Sequence, residues 1–299
     1  MVAIRVDRET KFRPFPANGK HRLPWTPPRR SQQIKNGNSC TTNNLSSDEL
    51  RKYEHGLVPI AHDAAVSTLL TGSSTTNATR FELFSFWRTS ATYRVRVAFN
   101  LKGVKPAERN VNLDAGEERS EGFLKVNPMG AVPALVDSDP GQSPTPLTQS
   151  LAILEFIDES FPTPALLPAD AHGLARVRSL AAMLAADTHP LITPRVKKYL
   201  LTTGGFDDDA WRAWQIHWFT TGLQALEQRL VNEPGTGTFC HGNMPTMADI
   251  CVASIVVVMR IFLIDVPDIP TVMRVMAACE QLDGFAAADP SRQVGAPKT

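Results

Sequence analysis

The amino-acid sequence predicts an α/β domain followed by an all-α domain, behind an N-terminal segment that lacks a core of its own. Between residues 80 and 161 the apolar pattern switches repeatedly between strand and helix periods. A proline-rich run, FPTPALLPADAHG, then breaks the pattern. Beyond it every apolar repeat has the helical period.

Phe81 to Phe86 alternates apolar and polar residues and reads as the first strand. Thr89 and Ser90 precede a helix in which Tyr93, Val97 and Leu101 share a face and Gly103 supplies the stop. Ala107 to Leu113 alternates again. Glu117 to Val126 is a helix ended by Asn127-Pro128, and Ala131 to Val136 is a third strand with a proline near its start. Pro146-Leu147 fits a short fourth strand. Gln149 to Glu159 is a helix with Leu151, Leu154 and Ile157 facing inward. One right-handed crossover between parallel strands followed by a hairpin is the compact arrangement of these pieces, a thioredoxin-like domain over residues 80–161. Residues 162–172 form the linker. Five helices are then expected near 173–187, 190–201, 207–231, 247–264 and 271–282, within an all-helical domain over 173–299. Thr246-Met247-Ala248-Asp249 has the residue types of a capping box at the start of the fourth.

Residues 1–79 differ in composition. Met1 to Leu45 carries nine Lys/Arg against Asp7 and Glu9, and the following stretch is rich in Ser, Thr and Asn. Such a segment buries too little apolar surface to offset the entropy of ordering, so disorder is expected, with a short helix over Asp48 to Leu57. A dispensable tail, an over-extended gene start and an organelle transit peptide all fit this composition.

Across all 299 residues, 42% are hydrophobic, 20% are charged and the formal net charge is +1. That balance suits a globular protein and offers no global field for nucleic acid or acidic lipid. The apolar run from Ile250 to Ile264 is interrupted by Arg260 and falls short of the roughly 20 residues a membrane span needs, so it reads as a core helix. Cys40, Cys240, Cys251 and Cys279 are scattered without paired spacing, which points to free thiols in a reducing compartment such as the cytoplasm, or the mitochondrion if residues 1–79 are a transit peptide. No Cys/His cluster has the spacing of a metal site.

Three chain ends in the first domain carry the chemistry. Thr89 and Ser90 stand at the positive end of the first helix, where a hydroxyl donating to a bound thiol would favour the thiolate; either hydroxyl could equally be only the N-cap. Val132-Pro133 opens a strand beside that helix, a natural place for a cis peptide that exposes the Val132 backbone to an extended peptide, though an ordinary edge proline reads the same way. Thr148-Gln149-Ser150 opens the last helix and suits a small carboxylate, or a cap.

Taken in order, FWRTSATYRVRVAFNLKG, NPMGAVPALV, LTQSLAILEFIDESFP, LLPADAHGLARVRSLA and FCHGNMPTMADICVAS closely resemble the zeta-class glutathione transferases, and within them the maleylacetoacetate isomerases. The resemblance runs from about Phe81 to Gln293 and leaves residues 1–79 outside. It implies a glutathione-transferase fold, a homodimer, and a glutathione-dependent cis–trans isomerase of tyrosine and phenylalanine breakdown. The glutathione thiolate adds to the cis double bond, the bond rotates, and the thiolate leaves, with no metal and no net consumption of glutathione. By position, Thr89 or Ser90 would hold the sulfur and Val132, beside Pro133, the cysteinyl backbone. Gln149 with Ser150 would take the γ-glutamyl carboxylate, and His189 would face the site. A substrate with two acidic ends calls for cations, for which Arg88, Arg94 and Arg260 are the candidates.

The sequence departs from the family pattern at four places. Thr89 replaces a serine, and Ala91 a residue that is cysteine in some members. Ile192-Thr193-Pro194-Arg195 replaces Asn-Asn-Leu-Arg, and Ile261 stands where the family has arginine, with Arg260 one place earlier. These changes crowd the electrophile side. Maleylpyruvate isomerisation, transfer to small halogenated acids, or an inactive interaction module with a basic tail are the alternatives.

Overall fold

A computed structural model of the chain describes residues 80–139 and 145–297. The expected tail and short helix within residues 1–79, and Cys40, lie outside the described residues.

β1 (Phe81–Ser85) has its strand because alternate residues serve two cores. Phe81 and Leu83 enter the main core, while Phe84 joins Phe86, Phe123 and Ala134 in a smaller one on the opposite sheet face. The other strands are β2 (Ala107–Asn110), β3 (Ala134–Asp137) and β4 (Leu147–Thr148), in spatial order β2-β1-β3-β4. β1 and β2 are parallel; β1–β3 and β3–β4 are antiparallel. β3 begins three residues later than its sequence pattern, because Pro133 has no N–H to give to the ladder. The Val132–Pro133 peptide is cis.

α1 (Ser90–Leu101) links β1 to β2, and every residue from Ser90 to Phe99 is buried. It lies between the sheet and the helical half, so its polar residues need internal partners. Arg96 grips Glu108 with contacts of 2.8 to 3.0 Å, and Lys102 reaches Asp158 at 2.6 Å. The expected helix over 117–126 is broken: a 3-10 turn at Glu117–Arg119 gives way to α2 (Glu121–Val126), which Ser120 caps by accepting from the Phe123 amide at 3.3 Å. α3 (Ser150–Ser160) covers the sheet beside α1. Leu154 and Ile157 are buried as expected, Ile153 is buried with them, and Leu151 packs partly buried against the same core at the edge of a cavity.

After residues 161–170, α4 (Ala171–Ala182) widens into a π-helical turn, Met183–Thr188, and tightens into a 3-10 turn, His189–Ile192. α5 (Pro194–Thr202), α6 (Asp208–Asn232), α7 (Met247–Ile261), α8 (Pro270–Glu280) and α9 (Asp283–Ala286) follow. α7 is apolar nearly all round and packs against α1, α4 and α8, as a central helix should.

Two contacts seat the His189 turn on α6. The Trp214 Nε1–H donates to the Leu191 carbonyl at 2.7 Å. Gly222 lets α6 approach so closely that an added Cβ would lie 2.1 Å from the Thr188 Oγ1. That local arrangement presents His189 toward the thioredoxin-like half.

Candidate active site

Three cavities adjoin along the seam between the sheet half and the helices, and His189 lines all of them. One, of about 380 Å³, runs past Val132, Pro133, Gln149, Ser150 and Arg94. A second, of about 830 Å³, continues past Thr89, Ala131 and Val132 to Arg119 and Arg195. The third, of about 690 Å³, lies between Thr89 and Ser90 on one side and α5, α6 and α7 on the other. Together they form a cleft for an extended, peptide-like ligand that opens at the hydroxyl pair into a chamber for a second molecule.

The two hydroxyls are placed differently. Thr89 is the N-cap of α1 and lies on the wall shared by the cleft and the chamber. Its Oγ1 accepts from the Thr92 amide at 3.4 Å and donates to the Thr92 hydroxyl at 2.6 Å. Thr92 is itself fully buried, so it holds Thr89 in one rotamer. Ser90 is 1% exposed, and its hydroxyl donates to the Ser254 hydroxyl of α7 at 3.0 Å. Ser90 ties the halves together; Thr89 faces the cavities on both sides of the wall.

Beneath both lies Arg94, fully buried and paired with no carboxylate among the described residues. Its guanidinium donates to Ser150 at 3.0 Å, Ser254 at 3.3 Å and Ser90 at 3.4 Å. Burial lowers its pKa. A buried charge satisfied only by hydroxyls leaves a positive field under the cleft, suited to an anion bound above it. α1 is packed on all sides, and Arg94 lines the cleft rather than the chamber.

The far end of the cleft is built at β4–α3. Gln149 sits at φ 69°, ψ 111°, a conformation that strains a side chain by roughly 1–3 kcal/mol. That turn places Gln149 on the cleft wall, next to the unpaired amides that open α3. Val132 stands two residues ahead of the β3 ladder, so its backbone groups are not used by the sheet.

His189 is half-buried between the walls. Desolvation, then the charges of Arg94 and Arg195, bring its pKa down to about 3. It is neutral at physiological pH and meets a ligand as a hydrogen-bonding imidazole. The unfolded chain binds a proton here near pH 6.5 and the folded one does not, so this residue makes stability fall as pH drops from 6.5 toward 3. His189→Gln should flatten that dependence by up to about 1.4 kcal/mol per pH unit, read from denaturant melts between pH 4 and 7; an unchanged slope would refute the assignment.

The other two candidate cations lie in different places. Arg88 reaches the chamber wall but is paired with Asp114 at 2.5 Å and stacked over Phe86 and Trp87. Arg260 is not in the chamber. It pairs with Glu280 and lines a separate cavity with Tyr93 and Asp289. α7 presents Val258 and Phe262 to the chamber, and Arg260, two residues from each, points the other way. Sequence reasoning missed Lys198, Trp211, Arg212 and Gln215, which line the chamber from α5 and α6. No local signal marks them, because charged and polar residues on those helices read as solvent faces.

With the geometry in view, the chain was compared with known proteins. Residues 79–159 match the glutathione S-transferase N-terminal domain family. A maleylpyruvate isomerase of Ralstonia sp is 41% identical over 212 residues, covering 71% of this chain and 98% of that protein. Among solved structures, a maleylacetoacetate isomerase from Methylobacterium extorquens AM1 with bound malonate and glutathione is 45% identical. The match has a TM-score of 0.69 and covers 73% of this chain and all (100%) of that one. The holo structure of a bacterial zeta-class maleylpyruvate isomerase is 40% identical at a TM-score of 0.68, covering 72% of this chain and 100% of its own.

Proposed function

Because the chain belongs to the zeta-class glutathione transferase family of maleylacetoacetate and maleylpyruvate isomerases, we propose that it is a glutathione-dependent cis–trans isomerase of maleyl diacids, acting on maleylacetoacetate. The observation that carries this reading is the placement of the Thr89 hydroxyl, at the N-terminus of α1, on the wall between a peptide-sized cleft and the chamber.

The residues of the cleft fit glutathione. The amides opening α3, with Gln149 and the Ser150 hydroxyl over buried Arg94, suit its γ-glutamyl carboxylate. The Val132 backbone, beside Pro133, is free to pair with the cysteinyl residue. Neutral His189 and the Arg195 cation close the helical side of the cleft. Bound glutathione supplies a thiolate that adds reversibly to a conjugated cis double bond and thereby frees that bond to rotate.

The protein's own contributions follow from placement. The Thr89 hydroxyl, which donates to Thr92 in the free protein, turns its one proton to the bound sulfur while the Thr92 hydroxyl donates back to it, and the unpaired amides of α1 with the field of Arg94 favour the anionic form of the sulfur. Thr92 keeps the donor in position. Phe86, Ile192, Trp211, Val258 and Phe262 form an apolar wall that limits water around the reacting carbons. His189, being uncharged, polarises by hydrogen bonding without protonating the thiolate.

The similarity to the Ralstonia enzyme favours maleylpyruvate as a second reading of the same site. A homodimer and a reducing, cytoplasmic setting belong to the proposal as well; among the described residues no helix is long and apolar enough to cross a membrane. Assays on both maleyl substrates, with glutathione present and withheld, test the proposal. Turnover should require glutathione without consuming it, and the larger kcat/KM identifies the substrate. A rate unchanged when glutathione is withheld overturns the mechanism.

A further inference from the structure

The chamber beside Thr89 has an unusual charge inventory. Among the described residues its only lining carboxylates are Asp114 and Asp208, and each is taken: Arg88 pairs with Asp114 at 2.5 Å and Lys197 with Asp208 at 3.1 Å. Two further cations line the same space. Lys198 has no carboxylate partner among the described residues, and Arg212 donates only to the backbone carbonyls of Phe262 and Leu263. Those two bonds pin the guanidinium at the end of α7 and leave some of its five N–H donors unused.

Beside Arg212, one turn along α6, lies Gln215. It is 4% exposed, lines the chamber, and its carboxamide has no hydrogen-bond partner among the described residues. Its amide atoms stay open to the chamber, where water or a ligand can bond to them. Residues three apart on a helix share a face, so Gln215 and Arg212 address one spot. Opposite them α7 offers only Val258 and Phe262, with Arg260 turned away to Glu280.

We infer that Gln215 and Arg212 of α6, assisted by Lys198 of α5, hold the carboxylate at the substrate end farthest from the thiol. The cationic role that the resemblance assigns to α7 has moved to the facing helix. A guanidinium with unused donors, a lysine without a carboxylate partner among the described residues and an amide open to the chamber match a ligand that brings an anionic, oxygen-rich terminus. They do not match a neutral electrophile or a short acid that ends at the reacting carbon. This inference rests on the isomerase reading for its reaction, though not for its binding chemistry.

The test uses the full chain with saturating glutathione. Gln215→Leu and Arg212→Met should each raise KM for the maleyl diacid about tenfold or more, with kcat little changed, since removing one hydrogen bond to a charged group is worth about a factor of ten. The monomethyl ester at the distal carboxylate should be a poor substrate for the wild type and insensitive to both variants. Arg212→Lys should recover part of the loss, and glutathione affinity by calorimetry should not move. Equal effects on diacid and ester, or an unchanged KM, overturn the assignment. Calorimetric titration of malonate onto the glutathione-loaded protein separates the two ideas. If the wild type binds malonate, the variants bind it weakly and nothing turns over, the isomerase reading fails and the anchor stands. If wild type and variants bind malonate alike, the anchor fails.

Discussion

Thr89→Val should lower kcat/KM for glutathione-dependent isomerisation by about 10²–10³, the usual loss on removing one preorganised donor from a developing or stabilised anion. The substitution isolates the hydroxyl, because valine keeps both the volume and the β-branched rotamer of threonine. The 2.6 Å bond to Thr92, the 3.3 Å contact with the Phe86 carbonyl and the cap on the Thr92 amide disappear from the free protein. The lost cap costs about 1 kcal/mol, too little to unfold the chain, so a melting curve separates the two effects. A thiol no longer stabilised by a donor ionises at higher pH, and the pH–rate profile should shift upward accordingly. Full activity in this variant would move the role to Ser90. Against that stands the geometry of Ser90, which is 1% exposed and tied to Ser254 across the seam, whereas Thr89 lies on the wall of both the cleft and the chamber.

Asp249→Ala is expected to be the most damaging single change to stability, at roughly 3–5 kcal/mol, with a fall in melting temperature on the order of 10 °C. Asp249 is fully buried at the start of α7. One carboxylate oxygen accepts from the Cys240 amide at 2.7 Å; the other accepts from both the amide and the hydroxyl of Thr246, each at 2.7 Å. Alanine would strand three buried donors and undo the N-terminus of the helix on which α1, α4 and α8 pack. Asp249→Asn keeps the shape but retains acceptor capacity on one side only, and should fall between the two. A melting temperature unchanged by the alanine substitution would show that the capping box is dispensable.

How legible the molecule is in its sequence differs from feature to feature. The hydroxyl pair, the Val132-Pro133 step, the Gln149-Ser150 helix start and the Thr246–Asp249 box are all ends of elements. Ends are written in short windows, because caps and prolines act on amides two or three residues away. The break between the 3-10 turn at Glu117 and α2 was not legible: Ser120 stops one helix and starts another within a run that has the composition of a single one. The π-helical turn before His189 was hidden for a similar reason. It follows from Thr188 meeting Gly222, which lies in a different helix.

The charged residues mark the boundary most clearly. In sequence, Arg88, Arg94 and Arg260 look equally able to meet a diacid. In the fold, Arg88 is paired with Asp114, Arg94 is sealed under the cleft, and Arg260 belongs to Glu280. Lys198, Arg212 and Gln215 look like ordinary solvent-face residues, and they line the chamber. By itself, then, the sequence determined the order of elements, the family resemblance and the helix and strand ends on which the proposed thiol site rests, all of which depend on local backbone chemistry. Only the tertiary structure shows which side chains of α5, α6 and α7 line the chamber. Which way a helical side chain points depends on how the helix is rotated against its neighbours, and one residue of register turns it by about 100°.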